Sequence, residues 1–382
     1  TEWMEENEIS TGINIDKDSK RSYPYSDLAS NLIGFTGTDN NGLEGIELKW
    51  DSTLAGTAGK IVATGDVNND EISTDTDQYV AVENGSNLYL TLDVNIQLIV
   101  EKYLEKYAKK NDCEGGSAII MKPSTGEILA MASYPNYDLN QPFEPNSVLK
   151  KGWKKLSDEE QSAALQNMWR NRVVSNTYEP GSTFKVLMSA IAIEENITQT
   201  DIKNDFICNG HEYVSGTRIN CWTSGYHGYQ TLRNALANSC NPSFIQLGQR
   251  LGISTMYKYF KAFGLFDKTE IETSGETTGL FHNKDDVGPT ELATMSFGQR
   301  FTITPLQLIT AACSIANDGI LVQPKIVKQI ENADTGAIST IDTKEVRKVV
   351  SPETAEKVLS MMESVVVDGT GQSGSVKGYT IG

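Results

Sequence analysis

A serine and a lysine stand three residues apart where a polar segment of the chain gives way to an apolar one. Ser182 and Lys185 lie in the stretch NTYEPGSTFKVLMSAIAIEEN, which covers residues 176–196. The apolar residues after Lys185 have helical spacing, so we expect the two side chains to share one face of a helix. A serine hydroxyl is a poor nucleophile near neutral pH and needs a base within hydrogen-bond reach.

Burial could make Lys185 that base. Loss of hydration lowers the pKa of an ammonium group, as does nearby positive charge, and a neutral amine can accept the hydroxyl proton. Free backbone N–H groups at a helix N-terminus would also favour negative charge developing near Ser182. The alternative is a serine N-cap followed by a lysine in solvent. The spacing alone favours this alternative, because Ser-x-x-Lys is frequent by chance.

A second polar pair changes that balance. Ser239 and Asn241 belong to NALANSCNPSFIQLGQRLG, where a short loop or helix end precedes another apolar helix. An asparagine there can hydrogen-bond a substrate amide, and a serine hydroxyl can transfer a proton. Ser–Asn pairs commonly form turns, so this pair is also weak evidence alone.

Together the two pairs resemble the motifs of class B penicillin-binding proteins, and further stretches extend the resemblance in order along nearly the whole chain. These stretches are RSYPYSDLASNLIGFTGTDNNGLEGIE (21–47), STGEILAMASYP (124–135), YEPGSTFK (178–185), SCN (239–241) and TELATMSFGQ with TPLQL (290–308). The resemblance implies a D,D-transpeptidase that cross-links peptidoglycan stem peptides through a serine acyl-enzyme and is a target of β-lactam antibiotics. It is closest in character to Gram-positive division or sporulation members.

By this resemblance Ser182 is the acylated nucleophile and Lys185 its general base. Ser239 would take part in proton transfer, and Asn241 would hold the acyl-donor peptide. The third motif of the family, Lys-Thr-Gly or Lys-Ser-Gly on a strand, is not found, because Lys268-Thr269 is followed by glutamate. We therefore expect that motif to follow Gly382, and a polypeptide that lacked it would be inactive.

A cluster of cysteine and histidine residues lies between the two polar pairs. Three cysteine thiolates and one imidazole would make a closed tetrahedral zinc site of the structural type. The resemblance to rod-elongation relatives, which hold zinc in this region, implies Cys208, Cys221, His227 and Cys240 as ligands, with His211 as a competing fourth ligand. The alternative is a disulfide between Cys208 and Cys221. The remaining two cysteines, Cys113 and Cys313, are predicted to be core residues in apolar surroundings.

The acidic composition excludes nucleic acid as a partner. The chain has a formal net charge of −17 and no basic stripe that could neutralise phosphates. No stretch approaches the ~18 consecutive apolar residues that span a bilayer. From the resemblance we expect an N-terminal transmembrane anchor that is not present in this chain, a location on the extracytoplasmic face of the cell membrane, and a membrane-embedded glycan polymerase as partner.

The length of 382 residues predicts two domains. Residues 1–85 are polar, with short strand-like pieces and turn signals, and predict a β-rich non-catalytic pedestal. Residues 86–382 predict an α+β transpeptidase domain of the penicillin-binding and serine β-lactamase type, with an antiparallel sheet flanked by helices and without the third motif. Within it we expect a helix capped by Asp93 and a β-hairpin around residues 123–126. Helices should follow up to about residue 265, interrupted by a cysteine-rich loop at 208–227. A helix capped by Thr304 and a hairpin from residue 327 should come next.

Two other functions remain open from the sequence. A β-lactam sensor or β-lactamase of the same fold is disfavoured by the long N-terminal region and by the lack of an obvious deacylating glutamate motif. A catalytically inactive scaffold for cell-wall assembly is disfavoured by the intact serines, lysine and asparagine, although the missing third motif keeps it open.

Overall fold

The structure is a computed structural model that describes residues 6–7, 20–57, 59–62, 64–65, 71–72 and 78–382. Two short hairpin-like pairings lie in the N-terminal region: β1 (Lys60–Val62) pairs antiparallel with β4 (Gln78–Val80), and β2 (Thr64–Gly65) with β3 (Glu71–Ile72). Residues 20–57 also contain three short helices that the sequence does not predict: α1 (Ser30–Ile33), α2 (Gly45–Lys49) and α3 (Asp51–Ala55). Each is about one turn long, which is too short for helical periodicity to show in the sequence.

The N-terminal helices pack against the rest of the chain. Leu32 and Ile46 share a buried apolar cluster with Met121 and Ile128. The side chain of Asn31 donates hydrogen bonds to the carbonyl oxygens of Met168 and Arg170, at 2.8 and 3.1 Å. These contacts hold residues 20–57 against the following part of the chain. The domain boundary near residue 86 stays a prediction.

The predicted hairpin around residues 123–126 is confirmed. Strands β6 (Gly116–Met121) and β7 (Ile128–Tyr134) are antiparallel, and helix α4 (Val94–Lys110) packs against β7. The predicted cap of α4 is also confirmed, since the Asp93 side chain accepts hydrogen bonds from two backbone N–H groups of the first turn. A separate three-stranded antiparallel sheet has the order β14–β13–β5, formed by Ile338–Thr340, Val327–Glu331 and Asn87–Leu90.

Helices surround the segment that carries the first polar pair. Helix α7 (Lys185–Glu194) is buried on almost every side, as expected of a helix that is apolar all round. The other helices in the described ranges, in chain order, are α5 (Asp158–Trp169), α6 (Arg172–Ser175), α8 (Leu232–Ala237), α9 (Asn241–Ala262, interrupted at Gly252), α10 (Pro289–Met295), α11 (Pro305–Ile315) and α12 (Pro352–Val367). Helix α7 packs against α8, α9, α11 and α12.

The start of α11 matches its prediction, because Thr304 and Gln307 form a reciprocal capping box with Pro305 at the first helical position. Strand β12 (Ile320–Val322) then pairs with β15 (Glu345–Lys348). None of the helices in the described ranges is long and apolar enough to cross a lipid bilayer.

The predicted loop at 208–227 is wrong in its detail. Strands β9 (His211–Val214) and β10 (Thr217–Asn220) lie within this segment, and β8 (Phe206–Cys208) and β11 (Gly228–Gln230) lie at its two ends. Strand β9 pairs with β10, and β11 pairs with β8, so that Gly228 lies opposite Cys208. Strands of three or four residues between glycines leave too little alternation to be recognised in a sequence.

Candidate active site

Ser182 lies in a tight turn that leads directly into α7. The 3₁₀ turn covers Gly181–Phe184, and Phe184 is completely buried while the Ser182 side chain is exposed. The Gly181 N–H donates to the carbonyl oxygen of Gly298 at 2.9 Å. A Cβ atom on Gly298 would come within 2.2 Å of the Gly181 carbonyl oxygen, so this backbone contact requires glycine. Gly298 lies in the stretch TELATMSFGQ, but its contact with Gly181 is not predictable from the sequence.

Four predicted residues meet at the amino nitrogen of Lys185. This nitrogen lies 3.2 Å from the Ser182 hydroxyl oxygen and 3.1 Å from the Ser239 hydroxyl oxygen. It donates hydrogen bonds of 2.8 Å to the Ser239 carbonyl oxygen and to Oδ1 of Asn241. The Lys185 side chain is 0% exposed, so the alternative of a lysine in solvent is wrong.

Burial changes the acid–base chemistry of this lysine. Loss of hydration is the largest influence and lowers the pKa of Lys185 to about 8, although the nearby Cys240 and Cys221 thiols act in the opposite direction. An ammonium group with that pKa is neutral in about a tenth of the molecules at pH 7. The neutral amine has a lone pair, and the Ser182 hydroxyl is within reach of it.

The backbone around Ser239 has an unusual conformation that brings two of its oxygens to one nitrogen. Ser239 follows α8 and has a left-handed φ of 49°. The turn is closed by hydrogen bonds of 2.9 Å from the Ser239 N–H to Leu236 and from the Cys240 N–H to Ala235. A non-glycine residue adopts this region at a cost and keeps it where its surroundings hold it there. The exposed indole of Trp222 also holds this turn, because its N–H donates a hydrogen bond of 2.8 Å to the Asn238 carbonyl oxygen.

Both serines face one large cavity. The cavity has a volume of about 920 Å³, which is in the range of binding sites for drug-sized molecules. Its wall is formed largely by apolar side chains of β6, α7, α11 and α12, among them Ile119, Val186, Leu308, Ala312 and Val365. The reactive hydroxyl groups are therefore accessible to a substrate, while the Lys185 amine lies beneath them.

The cysteine and histidine side chains of the predicted zinc site also converge. The ligand atoms of Cys208, Cys221, His227 and Cys240 all lie within 4.8 Å of one another. In a tetrahedral zinc site with bonds of about 2.3 Å, sulfur ligands stand about 3.8 Å apart, so the arrangement fits this ion. The competing ligand His211 is not in the cluster, and its ring contacts Tyr213 on β9.

The thiol chemistry is consistent with a cation at this place. All five cysteines are free thiols, so no disulfide joins Cys208 and Cys221. Burial raises the pKa of Cys240 to about 12, partly offset by hydrogen bonds from Ser243 and Gln230. A thiol with this pKa needs a bound cation to become a thiolate near neutral pH.

Of the other two cysteines, Cys313 is buried as predicted, but the prediction for Cys113 is wrong because its side chain is exposed.

Comparison with known families identifies both parts of the chain. The profile of the penicillin binding protein transpeptidase domain matches residues 116–382, and that of the penicillin-binding protein dimerisation domain matches residues 2–90. Among curated relatives, stage V sporulation protein D of Bacillus subtilis is 37% identical over 97% of this chain and 55% of its own length. Peptidoglycan D,D-transpeptidase FtsI of Escherichia coli is 30% identical over 97% of this chain and 57% of its own length.

Solved structures agree with this assignment. Penicillin binding protein 3 of Mycobacterium tuberculosis superposes with a TM-score of 0.77 at 29% identity, covering 94% of this chain and 74% of that one. The same protein has been crystallised in complex with ampicillin, also with a TM-score of 0.77. The chain spans just over half the length of the curated relatives that it matches. With a transpeptidase profile over most of its length, behind a dimerisation profile, the chain belongs to the penicillin-binding proteins.

Proposed function

We propose that this protein is a D,D-transpeptidase that cross-links peptidoglycan stem peptides through an acyl-enzyme on Ser182. The observation that carries the proposal is the position of the Lys185 amine, which is buried and lies within 3.2 Å of the hydroxyl groups of both Ser182 and Ser239. A base at that distance can remove the serine proton as the bond to the substrate forms. The alternative, a lysine that faces solvent, does not account for this burial or for the contacts with the two serines.

The first half of the reaction forms the acyl-enzyme. Neutral Lys185 accepts the proton of the Ser182 hydroxyl as Oγ attacks the carbonyl carbon of the penultimate D-alanine. The tetrahedral oxyanion forms at the N-terminus of α7, where backbone N–H groups favour negative charge. When the peptide bond breaks, the leaving amine of the terminal D-alanine needs a proton. Ser239 lies on the cavity and 3.1 Å from Lys185, and can transfer a proton from the lysine to that amine.

The second half reverses these steps with another amine. The amino group of a neighbouring stem peptide attacks the ester carbonyl of acylated Ser182, and the proton that it loses returns through Ser239 to Lys185. The ester bond to Oγ then breaks, and Oγ recovers its proton from the lysine. Asn241 accepts a hydrogen bond from Lys185 through Oδ1, which leaves its amide N–H groups to hold the acyl-donor peptide. A β-lactam would acylate Ser182 by the first step and remain attached.

We also propose that Cys208, Cys221, His227 and Cys240 hold a zinc ion of the structural type. The support is the convergence of their four ligand atoms and the burial of the three thiols. Four protein ligands leave no position for a water molecule, so bound zinc would stabilise this region. The ion would thereby link Cys240 to Cys208 on β8. Cys240 lies between Ser239 and Asn241 in the sequence, so this link would also restrict the positions of these two residues.

The proposed substrate lies outside the cytoplasmic membrane, so the protein would act at the extracytoplasmic face. Cross-linking requires glycan strands, so we propose a membrane-embedded glycan polymerase as partner. We also propose that β-lactams inhibit the protein. The complexes of the Mycobacterium tuberculosis relative with ampicillin and aztreonam support β-lactam binding.

Incubation of the full-length protein with a fluorescent penicillin tests the transpeptidase proposal against its alternatives. A transpeptidase should retain the label for many minutes after free penicillin is removed. Rapid loss of label with release of hydrolysed penicillin would instead indicate a β-lactamase. No labelling of a full-length protein that is folded would indicate an inactive scaffold.

A further inference from the structure

A chain of buried and partly buried hydrogen bonds connects the two residues that flank Ser239. The Asn238 side chain donates to Oε1 of Gln230 at 2.8 Å, and Nε2 of Gln230 donates to the Ser243 hydroxyl at 2.9 Å. The Ser243 hydroxyl in turn donates to Sγ of Cys240 at 3.3 Å. Gln230 and Ser243 are only 2% and 1% exposed. The chain thus begins on one side of Ser239 and ends on the other.

Each link of this chain comes from a different element. Gln230 ends strand β11, Ser243 lies in the first turn of α9, and Asn238 follows α8. Buried polar groups that are fully paired restrict the elements that carry them to one arrangement. Ser239 itself has a left-handed φ of 49°, which its surroundings must maintain. The hydrogen bonds of Gln230 are therefore placed to hold the turn that presents Ser239 to Lys185.

We infer that Gln230 is a positioning residue for the reaction, acting through Asn238 and Ser243 on the Ser239 turn. The inference rests on the proposed function, because the position of Ser239 affects chemistry only if Ser239 and Lys185 act on the substrate. Loss of the Gln230 amide leaves the Asn238 side chain without its acceptor and the Ser243 hydroxyl without its donor. The turn then relaxes, and the Ser239 hydroxyl moves away from the Lys185 amine. A displacement of about 1 Å at a reacting group can lower a rate ~100-fold.

Two variants and their combination test this inference on the full-length protein. Gln230→Met keeps the length of the side chain and removes both hydrogen bonds, while Ser243→Ala removes the next link. The matched control is Gln97→Met. Gln97 is another buried glutamine, 1% exposed, whose amide bonds to Met131 and Glu101 and to no residue of the Ser239 turn.

Stopped-flow acylation by a chromogenic cephalosporin separates the noncovalent dissociation constant from the rate constant of acylation. We expect Gln230→Met and Ser243→Ala each to lower the acylation rate constant ~10- to 100-fold, with the dissociation constant changed less than about twofold. Because both act on one chain of bonds, the double variant should be only slightly slower than the slower single variant. Gln97→Met should lower the melting temperature and leave the acylation rate constant unchanged, at a temperature where every variant is folded.

The outcomes distinguish the inference from the function on which it rests. If the unmodified protein is not acylated at all, the proposed function fails. If it is acylated and Gln230→Met is acylated as fast, only the inference fails. The inference also fails if Gln97→Met is slowed as much as Gln230→Met, or if the effects of Gln230→Met and Ser243→Ala multiply in the double variant.

Discussion

The Lys185 amine donates a hydrogen bond of 2.8 Å to the carbonyl oxygen of Ser239, a residue 54 positions away along the chain. This contact joins the start of α7 to the turn before α9, and it places one nitrogen atom under both serine hydroxyls. A backbone carbonyl is a fixed acceptor, so it holds the lysine in place whether the amine is charged or neutral.

The pH dependence of acylation should reflect the titration of Lys185. Its pKa is lowered to about 8 by burial, and only the neutral amine can accept the Ser182 proton. The acylation rate constant should therefore be low below pH 7, rise through about pH 8 and level off above pH 9. Stopped-flow acylation measured from pH 6 to pH 10 checks this profile. A rate that stays constant from pH 6 to pH 8 would mean that no base with this pKa takes part.

Removal of the lysine amine should slow acylation much more than it weakens binding. For Lys185→Ala we expect acylation ~10²–10⁴-fold slower, the range for a lost general base, and no rise in rate near pH 8. The matched control is Lys258→Ala, because Lys258 is an exposed lysine that pairs with Glu195 at the surface. Equal rates for Lys185→Ala and the unmodified protein would remove Lys185 from the mechanism.

The close contact of Gly298 with Gly181 should be sensitive to a single methyl group. A Cβ atom in Gly298→Ala would lie 2.2 Å from the Gly181 carbonyl oxygen, so the Ser182 turn must shift. We expect a loss of about 1–3 kcal/mol in the free energy of unfolding and slower acylation. Gly216→Ala is the control, since Gly216 has the same φ of 82° but no atom within 4 Å of the added Cβ. Similar acylation defects in both variants would show that backbone strain alone is responsible.

The proposed zinc ion should affect both stability and acylation. Elemental analysis should find one zinc per chain, and its removal by a chelator should lower the melting temperature by about 5 °C or more and slow acylation. Cys240→Ser should reproduce both defects. Cys113→Ser should have neither, because Cys113 is an exposed thiol outside the cluster. A metal-free protein that is stable and acylates at the full rate would contradict this proposal.

The sequence predicts best those elements whose ends carry their own signals. The starts of α4 and α11 are marked by Asp93 and by the Thr304–Pro305 pair. The hairpin is marked by the turn around residues 123–126. These signals can be recognised because caps and turns depend on residues that are neighbours in the sequence. The one-turn helices of residues 30–55 and the strands of residues 206–230 could not be predicted, since three to five residues show too little periodicity.

The candidate site was predictable in its residues but not in its contacts. Ser182 and Lys185 share a helical start, so their proximity follows from spacing alone. The meeting of Lys185 with Ser239 depends on how α7 and α9 pack, which no local pattern specifies. The same limit applies to Gln230 and Ser243, because strand β11 packs against α8 while the Gln230 side chain reaches Ser243 on α9. It applies also to Cys113, for which the prediction of a core residue is wrong because its side chain is exposed.

Mass spectrometry of the penicillin-treated, full-length protein tests the central claim most directly. The intact mass should increase by that of one penicillin molecule, and the digested protein should carry the adduct on the peptide that contains Ser182. Ser182→Ala should take up no penicillin and should keep a melting temperature close to that of the unmodified protein, because the Ser182 side chain is exposed. An adduct on any other residue, or an unchanged adduct in the Ser182→Ala variant, would contradict the account.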